Sequence, residues 1–310
     1  EEDVVPLLLE EIEAYRKSHP EVVEIVLIDD GSSDRTAERV RDLTSGRDGY
    51  TLIRFSRNFG HQIAITAGME FVKSDAAVIM DADLQDPLSV VTTMIAQWRA
   101  GFDVVYGIRE EREGETWMKR SATYLFYRFF RRMSDVKAPL DTGDFRLVSR
   151  EVLDAFKMLQ ERQPFVRGLV AWLGFKQTGI RYARPARAAG KTKYPYRKLW
   201  RLATDGITSF SDKPLWYAAA IGMTISFCSV GGLVWVILDK YVFGVGVTGW
   251  ASLIFAAFFF GGVQLFFLGI VGAYLARVYE EVKRRPRYVL QDVWESRERS
   301  RVIPGKLDGE

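Results

Sequence analysis

The chain has 310 residues, of which 48% are hydrophobic and 27% charged, as in an ordinary globular protein of one large or two modest domains. The formal net charge of +3 excludes a protein that binds polyanions through its overall charge, so only local basic clusters could do so. The single cysteine, Cys228, excludes an intrachain disulfide, and the two histidines, His19 and His61, lie too far apart for a Cys/His metal motif.

Strands and helices are predicted to alternate through the first third of the chain. An amphipathic helix over residues 4–17 precedes the strand and loop of IVLIDDGSSDRT, and a helix follows through residue 43. Next come the strand YTLIRFS, the helix GHQIAITAGMEFV, the strand AAVIM, the helix PLSVVTTMIAQWRAG and the strand DVVYGIR. Because this alternation implies right-handed crossovers, it predicts an α/β fold with a mainly parallel sheet.

Carboxylates gather where two of these predicted strands end. Asp29 and Asp30 follow the first strand, and Asp81 and Asp83 follow the strand AAVIM. Ligands of open α/β sheets bind beyond the carboxyl ends of the strands. Two carboxylates one residue apart suit Mg²⁺ or Mn²⁺ shared with diphosphate oxygens. Asp-x-Asp alone is a weak signal, and a solvated acidic loop is the alternative.

Other phosphate-binding and metal-binding motifs are excluded by their spacing. The segment DADLQDPLSVVT begins like a calcium loop, but Asp86 and Thr92 stand where that loop requires Gly and Glu. The GKT at residues 190–192 lacks the first glycine of a P-loop, because Pro185 occupies that position. No Gly-x-Gly-x-x-Gly follows the first strand, so a dinucleotide fingerprint is also missing.

The last third of the chain is strongly apolar. Residues 215–238 contain no charged side chain, and a helix of that length would be about 36 Å long, enough to cross a bilayer. Residues 241–276 are also uncharged, with a second span predicted over 250–276. Basic residues flank the outer ends of the two spans, so both ends are predicted to face the cytoplasm. The alternative is a buried hairpin of a soluble domain.

Two further segments combine basic and aromatic residues at helical spacing. They are residues 117–133, WMKRSATYLFYRFFRRM, and the weaker segment 191–213. Such helices lie in the headgroup region and attract anionic lipid, whereas the alternative is a surface helix packed on the sheet.

Taken together, several motifs resemble those of the polyprenyl-phosphate glycosyltransferases. The segments are IVLIDDGSSDRT, SRNFGHQIAITAGM, MDADLQDP, GETWMK, DTGDFRL and GKTKY, followed by a two-span tail. This group of family 2 enzymes includes dolichol-phosphate mannose synthases, and bacterial bactoprenol glucosyltransferases are the nearest fit. The resemblance covers nearly the whole chain, through RVYEEVKRRPRY.

The resemblance implies a GT-A fold and metal-dependent, inverting transfer of a sugar, UDP-glucose being the expected donor, to undecaprenyl or another polyprenyl phosphate. It implies a catalytic domain over residues 1–190, a juxtamembrane segment over 191–213, two transmembrane helices within 214–277 and a basic tail over 278–310. The expected location is the bacterial inner membrane, with the catalytic domain in the cytoplasm. Membrane lipid is an expected partner, nucleic acid is not, and small residues in the spans would permit a homo-oligomer.

The resemblance also assigns roles to individual residues of this sequence. Asp30 is expected to contact the nucleoside, and Asp81, Asp83 and Gln85 to hold the metal ion and the diphosphate. Asp144 is expected to be the catalytic carboxylate together with Asp83. The residues expected to bind the acceptor phosphate are Arg109, Lys119, Thr123, Arg146, Lys191 and Lys193. Since a phosphate monoester is mostly a dianion at neutral pH, Asp144 would orient the acceptor or stabilise positive charge rather than remove a proton.

Three alternatives remain open at the level of sequence. The donor could instead be UDP-N-acetylglucosamine, a modified UDP-arabinose or GDP-mannose. A processive polysaccharide synthase is disfavoured because QPFVRG lacks the spacing and the Trp of Gln-x-x-Arg-Trp. The third alternative is a catalytically silent scaffold or a component of a lipid-flipping system. The intact acidic motifs argue against it, because a silent protein would not need them. The family normally opens with a strand ending in P-x-Y-N-E-E, and we expect the sequence to omit residues before Glu1.

Overall fold

The computed structural model describes residues 2–109, 142–183, 212–242 and 249–296. These residues divide into two compact units. The first unit contains residues 2–109, 142–183 and 285–296, and the second contains residues 212–242 and 249–284. All the sequence-predicted site residues that the structure describes belong to the first unit.

From its first helix to the strand Val104–Arg109, the first unit alternates strands and helices as predicted. Its helices are α1 (Val5–Ser18), α2 (Thr36–Thr44), α3 (His61–Phe71), α4 (Leu88–Arg99), α5 (Arg150–Lys157) and α6 (Val166–Trp172). Its strands are β1 (Ile25–Asp29), β2 (Tyr50–Phe55), β3 (Ala76–Ile79), β4 (Val104–Arg109), β5 (Thr142–Ser149), β6 (Gln177–Tyr182) and β7 (Leu290–Glu295). The second unit consists of α7 (Lys213–Val242) and α8 (Trp250–Val282).

The strands form two mixed sheets, in the orders β1-β2-β7 and β3-β5-β4-β6. The pairs β1·β2 and β4·β6 are parallel, whereas β5 runs antiparallel to both β3 and β4, and β7 runs antiparallel to β2. The α/β fold class is therefore confirmed, with more antiparallel pairing than the alternation of elements suggested. Since β5 runs against β3, its beginning lies beside the end of β3, and this brings Asp144 to the acidic edge.

The two faces of β5 have different functions. Phe145 and Leu147 point to one side and pack with Val91 and Met94 of α4 in a buried apolar cluster. Because side chains alternate along a strand, Asp144 and its second neighbour Arg146 point to the opposite side, toward α3 and α6. One strand thus packs the core with Phe145 and Leu147 and presents Asp144 and Arg146 on its other face.

The chain after α8 returns to the first unit as β7, a strand that the sequence analysis did not predict. Within this segment Arg287 pairs with Glu70 of α3 at 3.0 Å, and the Tyr288 hydroxyl donates to the same carboxylate at 2.6 Å. The Tyr288 ring stacks on Phe55 with a centroid distance of 4.9 Å. The residues predicted as a basic tail over 278–310 therefore include an edge strand of the sheet that contains β1 and β2.

The second unit contains the two predicted spans as helices. A 20-residue stretch of α7, residues 213–232, and a 27-residue stretch of α8, residues 256–282, are long and apolar enough to cross a membrane. Their apolar side chains are exposed, with Phe227 at 74% and Phe258 at 79% of full exposure. An apolar surface of this extent is unfavourable in water, so the two helices are candidate membrane spans.

Candidate active site

Two carboxylates at the end of β1 hold the loops after β1 and β2. The Asp29 side chain is 2% exposed, and its Oδ2 lies 3.2 Å from Nε of Arg54 on β2. The two oxygens of Asp30 accept hydrogen bonds from the backbone amides of Phe59 and Gly60, at 2.6 and 2.9 Å. Asp30 therefore ties one loop to the other, and its predicted contact with the nucleoside would use the lone pairs that remain.

Gly31 allows these two loops to approach. Its φ of +69° lies in the left-handed region, and a Cβ placed there would be 2.4 Å from the carbonyl carbon of Arg57. Such a contact is far inside van der Waals distance, so a side chain at residue 31 would force the loops apart.

The acidic loop after β3, residues 81–86, is also tightly folded. The Asp83 carboxylate accepts a hydrogen bond from the backbone amide of Gln85 at 3.2 Å. Between them Leu84 has a φ of 58°, which costs a residue with a side chain about 1–2 kcal/mol. The turn buries Gln85 and Asp86, at 1% and 3% exposure, and leaves Asp81 and Asp83 partly exposed. Two carboxylates of the predicted metal-binding set thus remain accessible to a ligand.

Asp144 is mostly buried at the start of β5 among positively charged and amide groups. Its side chain is 11% exposed. His61 Nε2 and Gln62 Nε2, both from the start of α3, each lie 3.1 Å from Oδ2. Nε of Arg167 on α6 lies 3.2 Å from Oδ1. Three elements therefore converge on one carboxylate.

These neighbours keep Asp144 ionised. Burial acts to raise the pKa of Asp144, but the hydrogen bond from His61 and the charges of Arg167 and Arg146 outweigh it, so the pKa lies below its ordinary value. The same hydrogen bond raises the pKa of His61, against the opposing effect of burial. A carboxylate with a lowered pKa is a weak proton acceptor and a strong source of fixed negative charge.

Arg146 lies beneath Asp144 and is 3% exposed. Its Nη2 donates to the carbonyl of Gly143 at 3.0 Å, and burial lowers its pKa to about 10, so it remains charged at neutral pH. The prediction placed Arg146 at the acceptor phosphate. In the structure the side chain faces the protein interior, where its charge supports Asp144.

Arg109, at the end of β4, lies against the backbone next to Asp144. A Cβ at Gly143 would be 2.6 Å from Nη2 of Arg109, so the guanidinium packs directly against the backbone at this glycine. The predicted acceptor-phosphate arginine and the predicted catalytic carboxylate therefore lie at the same edge of the sheet.

His61 also connects Asp144 with the acidic loop. Its Nε2 is 3.7 Å from Oδ1 of Asp81 as well as 3.1 Å from Asp144. Burial raises the pKa of Asp81; His61 opposes that effect, and the nearby carboxylates of Asp86, Asp83 and Asp144 add to it. The loop therefore concentrates negative charge that a cation would stabilise.

The donor set of the acidic loop fits a divalent cation that is shared with a substrate. Asp81 and Asp83 supply the hard oxygen ligands that Mg²⁺ and Mn²⁺ prefer. Within the described part of the chain, no three His, Cys, Asp or Glu side chains are grouped so as to hold a metal ion. A cation at these carboxylates would therefore take further ligands from elsewhere, such as the oxygens of a diphosphate.

Sequence reasoning found the carboxylates of this site but missed most of the groups around them. His61 and Gln62 carried a usable signal, because they lie in the segment SRNFGHQIAITAGM and begin a helix soon after a predicted strand. Arg167 and Tyr182 lie far from the motifs in sequence and gave no local signal. Four predicted acceptor residues, Lys119, Thr123, Lys191 and Lys193, lie outside the described residues, as do the amphipathic segment 117–133 and most of 191–213.

Comparison with known proteins identifies the family. Residues 1–156 match Glycosyl transferase family 2. The uncharacterized glycosyltransferase YkcC of Bacillus subtilis (strain 168) is 44% identical over 93% of this chain and 92% of that protein. The SfII prophage-derived bactoprenol glucosyl transferase of Shigella flexneri is 38% identical over 94% of each. The solved mannosyltransferase PcManGT of Pyrobaculum calidifontis, in complex with GDP-Man and Mn²⁺, is 16% identical over 89% of this chain and 84% of that one, with a TM-score of 0.42.

The chain belongs to glycosyl transferase family 2, since the family match covers half of it and the relatives cover almost all of it. The predicted family, its GT-A-type α/β fold and the enzyme class of glycosyltransferase are confirmed.

We predict that Gly31→Ala destabilises the first unit more than Gly46→Ala does. Both glycines have a positive φ, +69° and +76°, but no atom lies within 4 Å of a Cβ at Gly46. Gly46→Ala therefore carries only the free-energy cost of the left-handed backbone, about 1 kcal/mol. In Gly31→Ala the new Cβ also clashes with the backbone of Arg57. Thermal unfolding of both variants in detergent measures the difference, and equal shifts in melting temperature would contradict the steric argument.

We predict a pH-dependent effect of His61→Gln on stability in the presence of a chelator. Since the pKa of His61 is raised in the folded protein, its stabilisation is fully present below the pKa of unfolded histidine, about 6.5, and is lost as pH rises through the folded value. His61→Gln should therefore lower the melting temperature more at pH 6 than at pH 8.5. In an Asp144→Asn background this pH dependence should shrink; a difference that does not vary with pH would refute the pairing.

Proposed function

We propose that this glycosyltransferase transfers a sugar from a nucleotide sugar to a polyprenyl phosphate at a membrane surface, with inversion. The observation that carries the proposal is the meeting of Asp144 with the acidic loop at one edge of the sheet, joined by His61 at 3.1 and 3.7 Å. Two long apolar helices in the same chain support a lipid acceptor.

The acidic loop is proposed to bind the donor diphosphate. Asp81 and Asp83 would hold a divalent cation, with the buried Gln85 behind them, and the edge built by Asp30 and Gly31 would face the nucleoside. When bound, the cation would neutralise the charge of the departing nucleoside diphosphate.

The acceptor phosphate is proposed to bind at Arg109. The family resemblance adds Lys119, Thr123, Lys191 and Lys193 to this set. Arg109 lies against the backbone of Gly143, the residue before Asp144, so a phosphate bound to its guanidinium would lie near Asp144. From there a phosphate oxygen would approach the donor sugar from the side opposite the diphosphate, as an in-line displacement requires.

The chemistry proposed is a single displacement at the anomeric carbon. A phosphate oxygen of the acceptor forms the new bond to that carbon while the bond to the diphosphate oxygen breaks, and the nucleoside diphosphate leaves with the electron pair. No proton has to be removed from a dianionic phosphate. Asp144, held ionised by its neighbours, would stabilise the positive charge that develops on the sugar, and this role uses its lowered pKa directly.

The cellular arrangement follows from the same proposal. Residues 1–190 would form the cytoplasmic catalytic domain, 191–213 a juxtamembrane segment, 214–277 the two spans and 278–310 the tail that contributes β7. The basic residues outside both spans support a bacterial inner-membrane protein with both ends in the cytoplasm.

UDP-glucose is the donor we propose, and undecaprenyl phosphate the acceptor. The support is the name of the 38% identical Shigella flexneri relative, a bactoprenol glucosyl transferase, together with the motif resemblance. UDP-N-acetylglucosamine, a modified UDP-arabinose and GDP-mannose are the competing donors, and they share the diphosphate that the acidic loop would bind.

We predict that the full-length protein in detergent, with undecaprenyl phosphate and Mg²⁺ or Mn²⁺, moves label from UDP-glucose into the lipid phase. UDP-N-acetylglucosamine, a UDP-arabinose derivative and GDP-mannose are offered separately, and a chelator should abolish transfer. Label from another of these donors would correct the sugar. Donor binding without lipid label from any of them would instead favour the silent scaffold.

We predict that Asp144→Asn lowers the turnover number by about 100-fold or more while the dissociation constant of the donor changes by less than about twofold, since Asp144 is not among the residues proposed to hold the cation and the diphosphate. Asp154→Asn is the matched control, because this α5 residue has a 58% exposed side chain paired with Arg150. Lost donor binding in Asp144→Asn, with the control unaffected, would count against a catalytic role.

A further inference from the structure

A chain of polar contacts, buried at its centre, runs from the acidic loop to Arg109 through a residue that no motif identifies. The Tyr182 hydroxyl, at the end of β6, donates to Oδ1 of Asp86 at 2.7 Å and accepts from Nε of Arg109 at 3.4 Å. Oδ2 of the same Asp86 faces the backbone amide of Asp81 at 3.5 Å. The hydroxyl and Asp86 thus connect Asp81, which is predicted to bind the metal ion, with Arg109, which is predicted to bind the acceptor phosphate.

Packing fixes the position of this hydroxyl. Tyr182 is 4% exposed, and its ring meets Phe145 edge-on with a centroid distance of 5.5 Å. A Cβ at Gly107 of β4 would lie 2.7 Å from Cε1 of Tyr182, so the glycine makes the room that the ring occupies. The register pairs Tyr182 with Arg109 directly across the parallel strands β6 and β4. The ring therefore has little freedom to move away from its two polar partners.

Asp86 depends on this contact. Its carboxylate is 3% exposed, and a buried carboxylate is costly unless it is hydrogen-bonded. Removal of the hydroxyl would leave Oδ1 without its donor and would favour a loop arrangement in which Asp86 turns toward water. Because Asp81 and Asp83 precede Asp86 in the same tight turn, that movement would change their positions too.

We propose that Tyr182 is a positioning residue that couples the acidic loop to Arg109. The inference rests on the proposed function, in which the loop holds the donor diphosphate and Arg109 the acceptor phosphate. The hydroxyl then sets the distance between the two substrates without touching either of them. Such a link affects the productive alignment of both, whereas a purely structural tyrosine would affect only folding.

The test compares Tyr182→Phe with Tyr50→Phe. Tyr50 is an equally buried tyrosine, 2% exposed, whose hydroxyl donates to the Glu13 carboxylate at 2.5 Å on the α1 side of β2. Both variants lose one tyrosine–carboxylate hydrogen bond. Tyr182→Phe should lower kcat/KM for label transfer by about 10- to 100-fold, with a raised KM for undecaprenyl phosphate, while Tyr50→Phe changes kcat/KM by less than about twofold at a similar melting temperature. Equal transfer by the two variants would overturn the proposal.

A double-mutant cycle separates positioning from general loosening. If Tyr182 couples the acidic loop to Arg109, then the loss of kcat/KM in the double variant Tyr182→Phe/Arg109→Gln should be smaller than the product of the two single losses. Losses that multiply would show independent effects and would overturn the coupling. Transfer by the wild-type protein is measured in parallel, so that a failure of the proposed function is distinguished from a failure of this inference.

Hydrogen–deuterium exchange provides a readout that needs no turnover. Tyr182→Phe should speed amide exchange in residues 81–86, and Tyr50→Phe should not. If Tyr182→Phe does not fold, Arg109→Gln alone should still speed exchange in the same loop, since the effect would pass through the hydroxyl. Unchanged exchange in this loop would refute the link whether or not the protein transfers a sugar.

Discussion

The site depends on keeping a charged carboxylate inside the protein. Asp144 is 11% exposed, and an ion at that depth is stable only if opposite charge and hydrogen-bond donors surround it. His61 and Gln62 from α3 and Arg167 from α6 supply those groups, while Arg146 adds charge from below. Satisfying this one carboxylate therefore fixes the starts of two helices against β5, and the same His61 places the acidic loop within reach.

The direction of β5 makes this arrangement possible. In a sheet of parallel strands alone, the start of a strand lies at the edge opposite the ligand-binding edge. Because β5 is antiparallel to β3 and β4, its start lies where those strands end. Asp144 at the beginning of β5 thereby meets Asp81 just after β3 and Arg109 at the end of β4. The mixed pairing is thus part of how the site is built.

Much of the first unit was predictable from local sequence patterns, whereas features that depend on distant residues were missed. The elements from α1 to β4 follow from apolar periodicity and turn residues, which act over a few positions. Asp81, Asp83 and Asp144 were found because their motifs are contiguous. The strand β7 was missed because a short segment after an apolar helix becomes a strand only when an edge such as β2 is available. Tyr182 was missed because its partners lie 73 and 96 residues away in sequence.

The sequence by itself determined the order of helices and strands, the acidic residues at the ends of strands, the two long apolar segments and the family. Each of these is encoded in neighbouring residues, through periodicity, charge and spacing. Only the tertiary structure decided the direction of β5, the pairing of β7 with β2, the burial of Arg146 and the contacts that hold Asp144 and Asp86. Those features arise from residues distant in sequence, since the cost of burying a charge is met by whichever side chains the fold brings beside it.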